Sequence, residues 1–312
     1  MFTVRQMRYF EALATTLHFR KAAETVHVSQ PALSAQIAEM EDLAGAPLFE
    51  RTQRSVIITE LGKILRPRIQ SILMDIQALE DVTAINKGLL SARMRLGIIP
   101  TIAPYIVPLL IPLLRNQYPQ FRLELREAMT ARLLEDLNNG ELDAIVAALP
   151  VDDDRLAHTS LFNDRFLIAT ATNDTDILDG PMTQDRVALD QLLLLEEGHC
   201  LREQALEFCT KPHQRQLVKY GATSMATLLQ MVSHGMGLTL IPEIAVRAEA
   251  SHMKMRIIPF EGEQPSREIG MLWRKQSLRR ADFMALSDCI SKAVQQLKVS
   301  DQELKSLAKM QN

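Results

Sequence analysis

The sequence predicts an N-terminal all-α winged helix-turn-helix carried on a long linker helix, followed by a C-terminal α/β domain. Three observations predict it. Residues 4–58 hold three short helical periodicities and then a hairpin-like segment; from Thr59 to about Lys87 apolar residues recur at spacings of three and four; after Ser91 strand-like runs alternate with helical patterns. A length of 312 residues suits about two domains, or a small one and a larger one that is itself split.

Composition narrows the function classes. A formal net charge of -3 gives no global attraction for nucleic acid, so any DNA contact must come from a local surface. Three cysteines are too few for a disulfide scaffold, and Pro and charge interrupt each apolar stretch before it reaches a membrane-spanning length. With no signal peptide visible, the chain reads as cytoplasmic, where thiols stay reduced and a disulfide is a regulatory event. No cofactor and no metal site is expected.

The first helix, Val4 to Ala14, places Met7, Phe10, Leu13 and Ala14 at helical spacing, and the second, Phe19 to Val26, places Ala22, Ala23 and Val26 on one face. Ser29 suits the cap of a third helix and Pro31 its first turn, with Leu33, Ile37 and Met40 facing inward. Gln30, Ser34 and Gln36 are left on or near the outer side, short polar groups suited to base edges or phosphates. The segment PLFERTQRSVIIT then reads as a β-hairpin wing, with Arg51 and Arg54 placed to touch a DNA backbone or minor groove. Charge alone does not separate this head from a plain helical bundle, because six acidic residues from Glu11 to Glu50 match six basic ones from Arg5 to Arg54.

In the linker helix, Leu61, Leu65, Ile69, Ile72, Ile76, Leu79 and Val82 form a stripe interrupted only by Pro67, as a dimerising helix requires. Beyond it, MRLGIIPT, FRLELREAMT, LDAIVAAL, RFLIATA, QLLLLEEG, QLVKYGATS, GLTLIP, MRIIPF and REIGMLWR read as strands. Helical patterns at Ile106 to Tyr118 and Ala131 to Asn138 separate the early ones, which implies open, mostly parallel sheets, and a last helix spans Leu278 to Leu297. Ligands in such sheets sit beyond the carboxyl ends of the strands, where Thr101, Thr130 and the His199-Cys200 turn fall. Each threonine suits a helix cap as well as a ligand contact.

The stretch LLLLEEGHCLREQALEFC carries the chemistry. It reads as a buried strand, a tight turn at Gly198, and a helix that begins near Cys200 and ends on Cys209. At the start of a helix the backbone N–H groups and the positive end of the dipole favour an anionic sulfur, the reactive form of cysteine. If Leu201 to Cys209 is helical, the two backbones stand roughly 13 Å apart along the axis. A disulfide needs Cα atoms within about 4.4–6.8 Å, so bridging them unwinds the helix. Either the segment has two covalent states with different folds, or it holds two unrelated thiols. Cys289, beside Phe283, Leu286 and Ile290, reads as a buried small hydrophobe.

The run AAETVHVSQPALSAQIAEMEDLAGAPLFER followed by TELG resembles the N-terminal domain of LysR-type transcriptional regulators, with Met40 and Ala44-Gly45 as small departures from their pattern. The resemblance implies a periplasmic-binding-protein-like regulatory domain of two subdomains, with the chain crossing near Asp164 and returning near Arg267. It divides the chain into 1–58 for DNA binding, 59–90 for the linker, 91–300 for the regulatory domain (subdomain I 91–164 and 268–300, subdomain II 165–267) and a tail, 301–312. The DNA-contact set it implies is Ser29, Gln30, Pro31, Ser34, Gln36, Arg51 and Arg54.

The segment GHCLREQALEFC, with LGIIPTIAPYIVPLLIP, EAMT and ATSMATLLQMVSHGMGLTLIP, further resembles the thiol switch of the peroxide-sensing members of that family. That resemblance implies Cys200 as the peroxidatic cysteine, Cys209 as the resolving one, and Thr101, Thr130, His199 and Arg267 as groups around the peroxide. His199 also fits a plain turn residue, and Arg267 a surface ion pair. The implied partners are double-stranded promoter DNA, further copies of the chain in a dimer of dimers, RNA polymerase, hydrogen peroxide as the signal, and thioredoxin or glutaredoxin for reduction, with no membrane. The implied role is regulatory, not enzymatic. Rival readings are a LysR-type regulator that answers to a small metabolite in the cleft, and a thiol peroxidase.

Overall fold

The computed structural model describes residues 1–52, 55–85, 88–172, 192–209, 221–249, 254–262 and 264–299, with side chains for all of these except 80–85 and Cys209. Arg54 and the tail 301–312 lie outside the described residues. The chain divides into two compact units, Met1–Asn86 and Lys87–Asn312.

In the first unit, helix α1 (Val4–Thr16) starts on a capping box in which Thr3 and Gln6 satisfy each other's backbone N–H groups, and buries Phe10, Leu13 and Ala14. Helix α2 (Phe19–Thr25) is capped by His18, and α3 (Gln30–Ala44) by Ser29, whose hydroxyl accepts from the Ala32 N–H at 3.4 Å. Pro31 fits the first turn of α3, and Gly45 ends it in the left-handed region at φ 72°. Leu33, Ile37 and Met40 are fully buried, as their spacing predicts. Strands β1 (Phe49–Arg51) and β2 (Val56–Ile58) pair antiparallel as the wing.

Helix α4 (Glu60–Ile85) carries Pro67 without breaking. The expected stripe keeps to one face, but only its first part is covered by the head. Leu61, Leu65, Ile69 and Leu73 pack on the core of the head, whereas Ile64, Ile72 and Leu79 remain 64%, 42% and 68% exposed. Arg66 and Gln70 both donate to the Glu11 carboxylate on α1 and tie this first part of α4 to the head.

The second unit runs β3 (Arg93–Ile98), α5 (Ala103–Gln117), β4 (Arg122–Glu127), α6 (Thr130–Asn138), β5 (Ala144–Leu149), β6 (Leu156–Ala171), β7 (Leu194–Leu195), α7 (Cys200–Cys209), β8 (Gly221–Ala222), α8 (Met225–Ser233), β9 (Thr239–Pro242), α9 (Glu243–Glu249), β10 (Met255–Ile258), β11 (Ser266–Arg274) and α10 (Arg280–Gln295). The main sheet has the order β10-β6-β11-β5-β3-β4, with β9 also on β6, and β7 pairs with β8 separately. Among the described residues β3 with β4, β3 with β5, and β7 with β8 are parallel, as is the Leu192–Leu238 bridge; β11 runs antiparallel to β5 and β6, as β9 and β10 do to β6. The expectation of mostly parallel sheets is corrected for a topological reason. β6 and β11 are the two strands that pass between the lobes of the unit in opposite directions, and every strand laid on them there takes the antiparallel sense.

At that crossing Arg267 stands directly opposite Asp164 in the register of β11 and β6. β6 is also far longer than the predicted RFLIATA, because its first half belongs to the first lobe and its second half to the second. Helices α8 and α9, which the strand pattern did not separate, form from Ser224, capping Thr227, and from the run after Pro242. The predicted strand around QLLLLEEG shrinks to Leu194–Leu195, although Leu192 to Leu195 are all buried. No helix among the described residues is long and apolar enough to cross a membrane.

Candidate functional site

Four buried leucines carry the chain to a turn at Glu196–His199 that ends on α7. Gly198 adopts φ 92°, where a Cβ is strained, and a Cβ there would also stand 2.8 Å from Met129 Sδ. The turn is pinned from the helix side. The Arg202 backbone N–H donates to the His199 carbonyl at 2.9 Å, and the Arg202 guanidinium donates to the Leu195 carbonyl at 3.0 Å. Cys200 is the first residue of α7, half-buried and unbridged, and Cys209 is the last. Ten helical residues therefore separate the two backbones by about 13 Å, well beyond disulfide reach. Leu201 and Ala205 hold the helix on the core, and Phe208 meets Phe260 edge-on, with ring centroids 5.1 Å apart.

A cavity of about 370 Å³ opens beside this turn. Thr101, Tyr105 and Met129 line one wall, from the ends of β3 and β4, and His199, Ser224 and Glu249 line the other. His199 is 5% exposed, and its Nε2 has no hydrogen-bond partner among the described residues. Thr130, next to Met129, likewise has a buried hydroxyl with no partner among them. Buried polar atoms left unpaired cost stability, so both groups are open to a hydrogen bond with a bound molecule.

Neither threonine caps a helix. The N-cap positions of α5 and α6 are Ile102 and Met129, and neither makes a side-chain cap bond. Thr101 instead accepts from Arg267 Nη1 at 2.9 Å, while Nε and Nη2 of Arg267 donate to one Asp164 oxygen at 3.1 and 2.9 Å. The pair is wholly buried, so the expected alternative of a surface ion pair is corrected. Burial pushes the Asp164 carboxyl up, and the facing Arg267 charge pulls it back down. Arg267 stands behind Thr101, not on the cavity wall. Its bond fixes the Thr101 oxygen as an acceptor and leaves the Thr101 hydrogen to be donated.

Two further groups were not singled out in the sequence. Gln204 lies one turn along α7 from Cys200, with its Oε1 buried and unpartnered among the described residues. Its spacing of four from the cysteine was the available signal. Tyr105, four residues after Thr101, donates to Glu249 Oε1 across the cavity at 2.9 Å, and burial together with the Glu249 charge pushes the phenol up, so it remains a donor. Cys289 is 1% exposed on α10, its thiol donating to Gln117 Oε1 at 3.4 Å, and burial pushes that thiol up. Among the described residues no group of three or more His, Cys, Asp or Glu side chains is arranged to hold a metal.

On the head, Gln30 and Pro31 are exposed, Ser34 and Gln36 are half-exposed, and Ser29 is committed as a cap. Gln36 donates to Glu39 at 2.8 Å. Arg51 reaches back from the wing to the Ser34 hydroxyl at 3.2 Å, with its guanidinium 4.2 Å from the Phe19 ring centre. The wing thereby joins the outer face of α3 in one polar surface.

Residues 4–63 match the model of the bacterial regulatory helix-turn-helix proteins of the lysR family, and residues 87–295 match that of the LysR substrate binding domain. The chain is 35% identical over 287 residues to the DNA-binding transcriptional dual regulator OxyR of Escherichia coli, covering 92% of this chain and 94% of that one. It is 32% identical over 294 residues to the hydrogen peroxide-inducible genes activator of Haemophilus influenzae, covering 94% and 98%. Among solved structures, a cysteine-to-aspartate variant of full-length OxyR from Pseudomonas aeruginosa matches with a TM-score of 0.77 at 32% identity, covering 93% and 95%. A cysteine-to-serine OxyR mutant of Corynebacterium glutamicum with H2O2 bound matches with a TM-score of 0.65 at 28% identity, covering 99% and 97%.

Proposed function

The chain belongs to the lysR family of bacterial regulators, and from that premise we propose that it is a hydrogen-peroxide-sensing, DNA-binding transcriptional regulator whose signal is read at Cys200. One observation carries the reading. Cys200 heads a helix beside the buried, unpartnered His199 Nε2, and a second cysteine closes the same helix out of disulfide reach.

In this mechanism the Cys200 thiolate attacks one peroxide oxygen and the O–O bond breaks. The departing hydroxide takes up a proton as water, and Cys200 is left as a sulfenic acid. Thr101 and Thr130 hydroxyls, His199 Nε2 and the Gln204 side chain supply hydrogen bonds to the peroxide oxygens, and Arg267 acts through Thr101. The Cys209 thiol then displaces water from the sulfenate and the disulfide forms, which requires α7 to unwind. Unwinding strips Leu206 and Phe208 from their packing and alters the surface of the regulatory unit.

The output is a change in how the copies of the chain pack. Two heads joined through the exposed Ile64, Ile72 and Leu79 of α4 read two halves of a pseudo-palindrome in promoter DNA, and a dimer of dimers extends the footprint. On this reading 1–58 reads DNA, 59–90 links, and 91–300 senses, with subdomain I at 91–164 and 268–300 and subdomain II at 165–267. RNA polymerase receives the signal, and thioredoxin or glutaredoxin resets it in the cytoplasm. DNA footprints of native protein and Cys209→Ser before and after peroxide test the scheme: the native footprint shifts and the variant's does not. An identical shift in both removes the disulfide from the mechanism.

A metabolite-responsive regulator is favoured by one feature. The cavity volume of about 370 Å³ falls in the range of small-molecule pockets and far exceeds the space of one peroxide. Thiol titration after low peroxide distinguishes the two, since that reading leaves Cys200 reduced.

A further inference from the structure

Met129 occupies the bend between β4 and α6, 37% exposed, a large apolar side chain left at the surface in front of the cavity. Its sulfur is seated against Gly198, where a Cβ would lie 2.8 Å away. The contact joins the two walls of the cavity. Met129 belongs to the first lobe, and Gly198 to the turn of the second lobe that delivers His199 and Cys200. Gly198 sits at φ 92° without side-chain packing of its own, so the Met129 thioether is its cover. Methionine suits that place, because its unbranched chain and polarisable sulfur fill an irregular gap against bare backbone.

We propose that Met129 is a positioning residue that holds the sensor turn in its reduced conformation and thereby sets how readily the sulfenic acid at Cys200 passes on to the disulfide. The inference rests on the peroxide-switch reading above. Closing the disulfide consumes the Cys209 S–H and the Cys200 S–OH, forms S–S and releases water, with no further oxidant. It also brings two Cα atoms from about 13 Å to within about 6.8 Å. That approach requires α7 to unwind, and in this proposal it is the Gly198 end that leaves its place and breaks the Met129 contact. The preceding step, sulfur attack on peroxide, takes place with the turn intact and takes no hydrogen bond from a thioether. Met129 therefore acts on the second step and not on the first.

The test follows full-length native protein, Met129→Ala and Met129→Leu after a peroxide pulse, with rapid alkylation and mass spectrometry of the Cys200 and Cys209 peptides. Met129→Ala is expected to convert sulfenate to disulfide about fivefold faster, with sulfenate formation changed less than about twofold. Leu keeps an apolar cover and is expected to restore the native rate. Equal closure rates for native protein and Met129→Ala overturn the inference, as does a Leu variant as fast as the Ala variant. Absence of a Cys200–Cys209 bond in all three after the pulse overturns the peroxide-switch reading and this inference with it.

Discussion

Thr101 and Thr130 have the same side chain but different surroundings: Thr101 accepts a hydrogen bond from Arg267, and the buried Thr130 hydroxyl has no partner among the described residues. Thr130→Val removes an unsatisfied polar atom, so urea unfolding is expected to show stability unchanged or slightly raised, while peroxide oxidation of Cys200 slows roughly tenfold, the effect of about 1.4 kcal/mol in a transition state. Thr101→Val strands an Arg267 donor in the interior, and is expected to lose about 1–3 kcal/mol of stability as well as rate. Equal stability effects for the two would contradict these assignments. Asp164→Ala leaves a buried guanidinium without its counter-charge, and should cost about 3–5 kcal/mol, much of it recovered when Arg267→Leu is added. Neither hydroxyl's role was legible in the sequence. Strand ends located both threonines, but which one an arginine 166 positions away would engage depends on the pairing of β6 with β11.

At the scale of elements, α7 is the part that breaks in the proposed mechanism, and there its hold on the core decides how easily. Phe208 stacks edge-on against Phe260 in the intact helix, and forming the disulfide gives up that contact. Phe208→Ala is thus expected to make the disulfide more stable relative to the dithiol, lowering its reduction potential by roughly 20–40 mV, where 30 mV corresponds to about 1.4 kcal/mol. A potential that rises instead would show that Phe208 packs more tightly in the oxidised state. The helix itself was legible, with Gly198 and the two cysteines marking its limits. So were the cap of α3 and the inward faces of α1 and α3, since local periodicity and capping chemistry decide them. The crossing at Asp164 and the return at Arg267 came from the family resemblance, but the full length of β6 was not legible, because a strand that crosses between lobes has no local signature; nor was how far the head covers the α4 stripe, which depends on tertiary packing.

For the molecule as a whole, the net charge of -3 gives no global attraction for DNA, and the family models match a helix-turn-helix over residues 4–63 and a LysR substrate binding domain over 87–295. Cys289 is buried on α10 with its thiol pushed up, and the proposed mechanism gives it no role. In native protein near neutral pH it is expected to resist a thiol-alkylating reagent that labels half-buried Cys200, and rapid labelling of Cys289 would place a second reactive thiol in the chain. The measurement that bears most directly on the switch is peptide mapping under non-reducing conditions after brief exposure to low peroxide. A peptide linking Cys200 to Cys209, absent before exposure and lost again on reduction, is the predicted result; Cys200 remaining a free thiol while DNA binding still responds would contradict it.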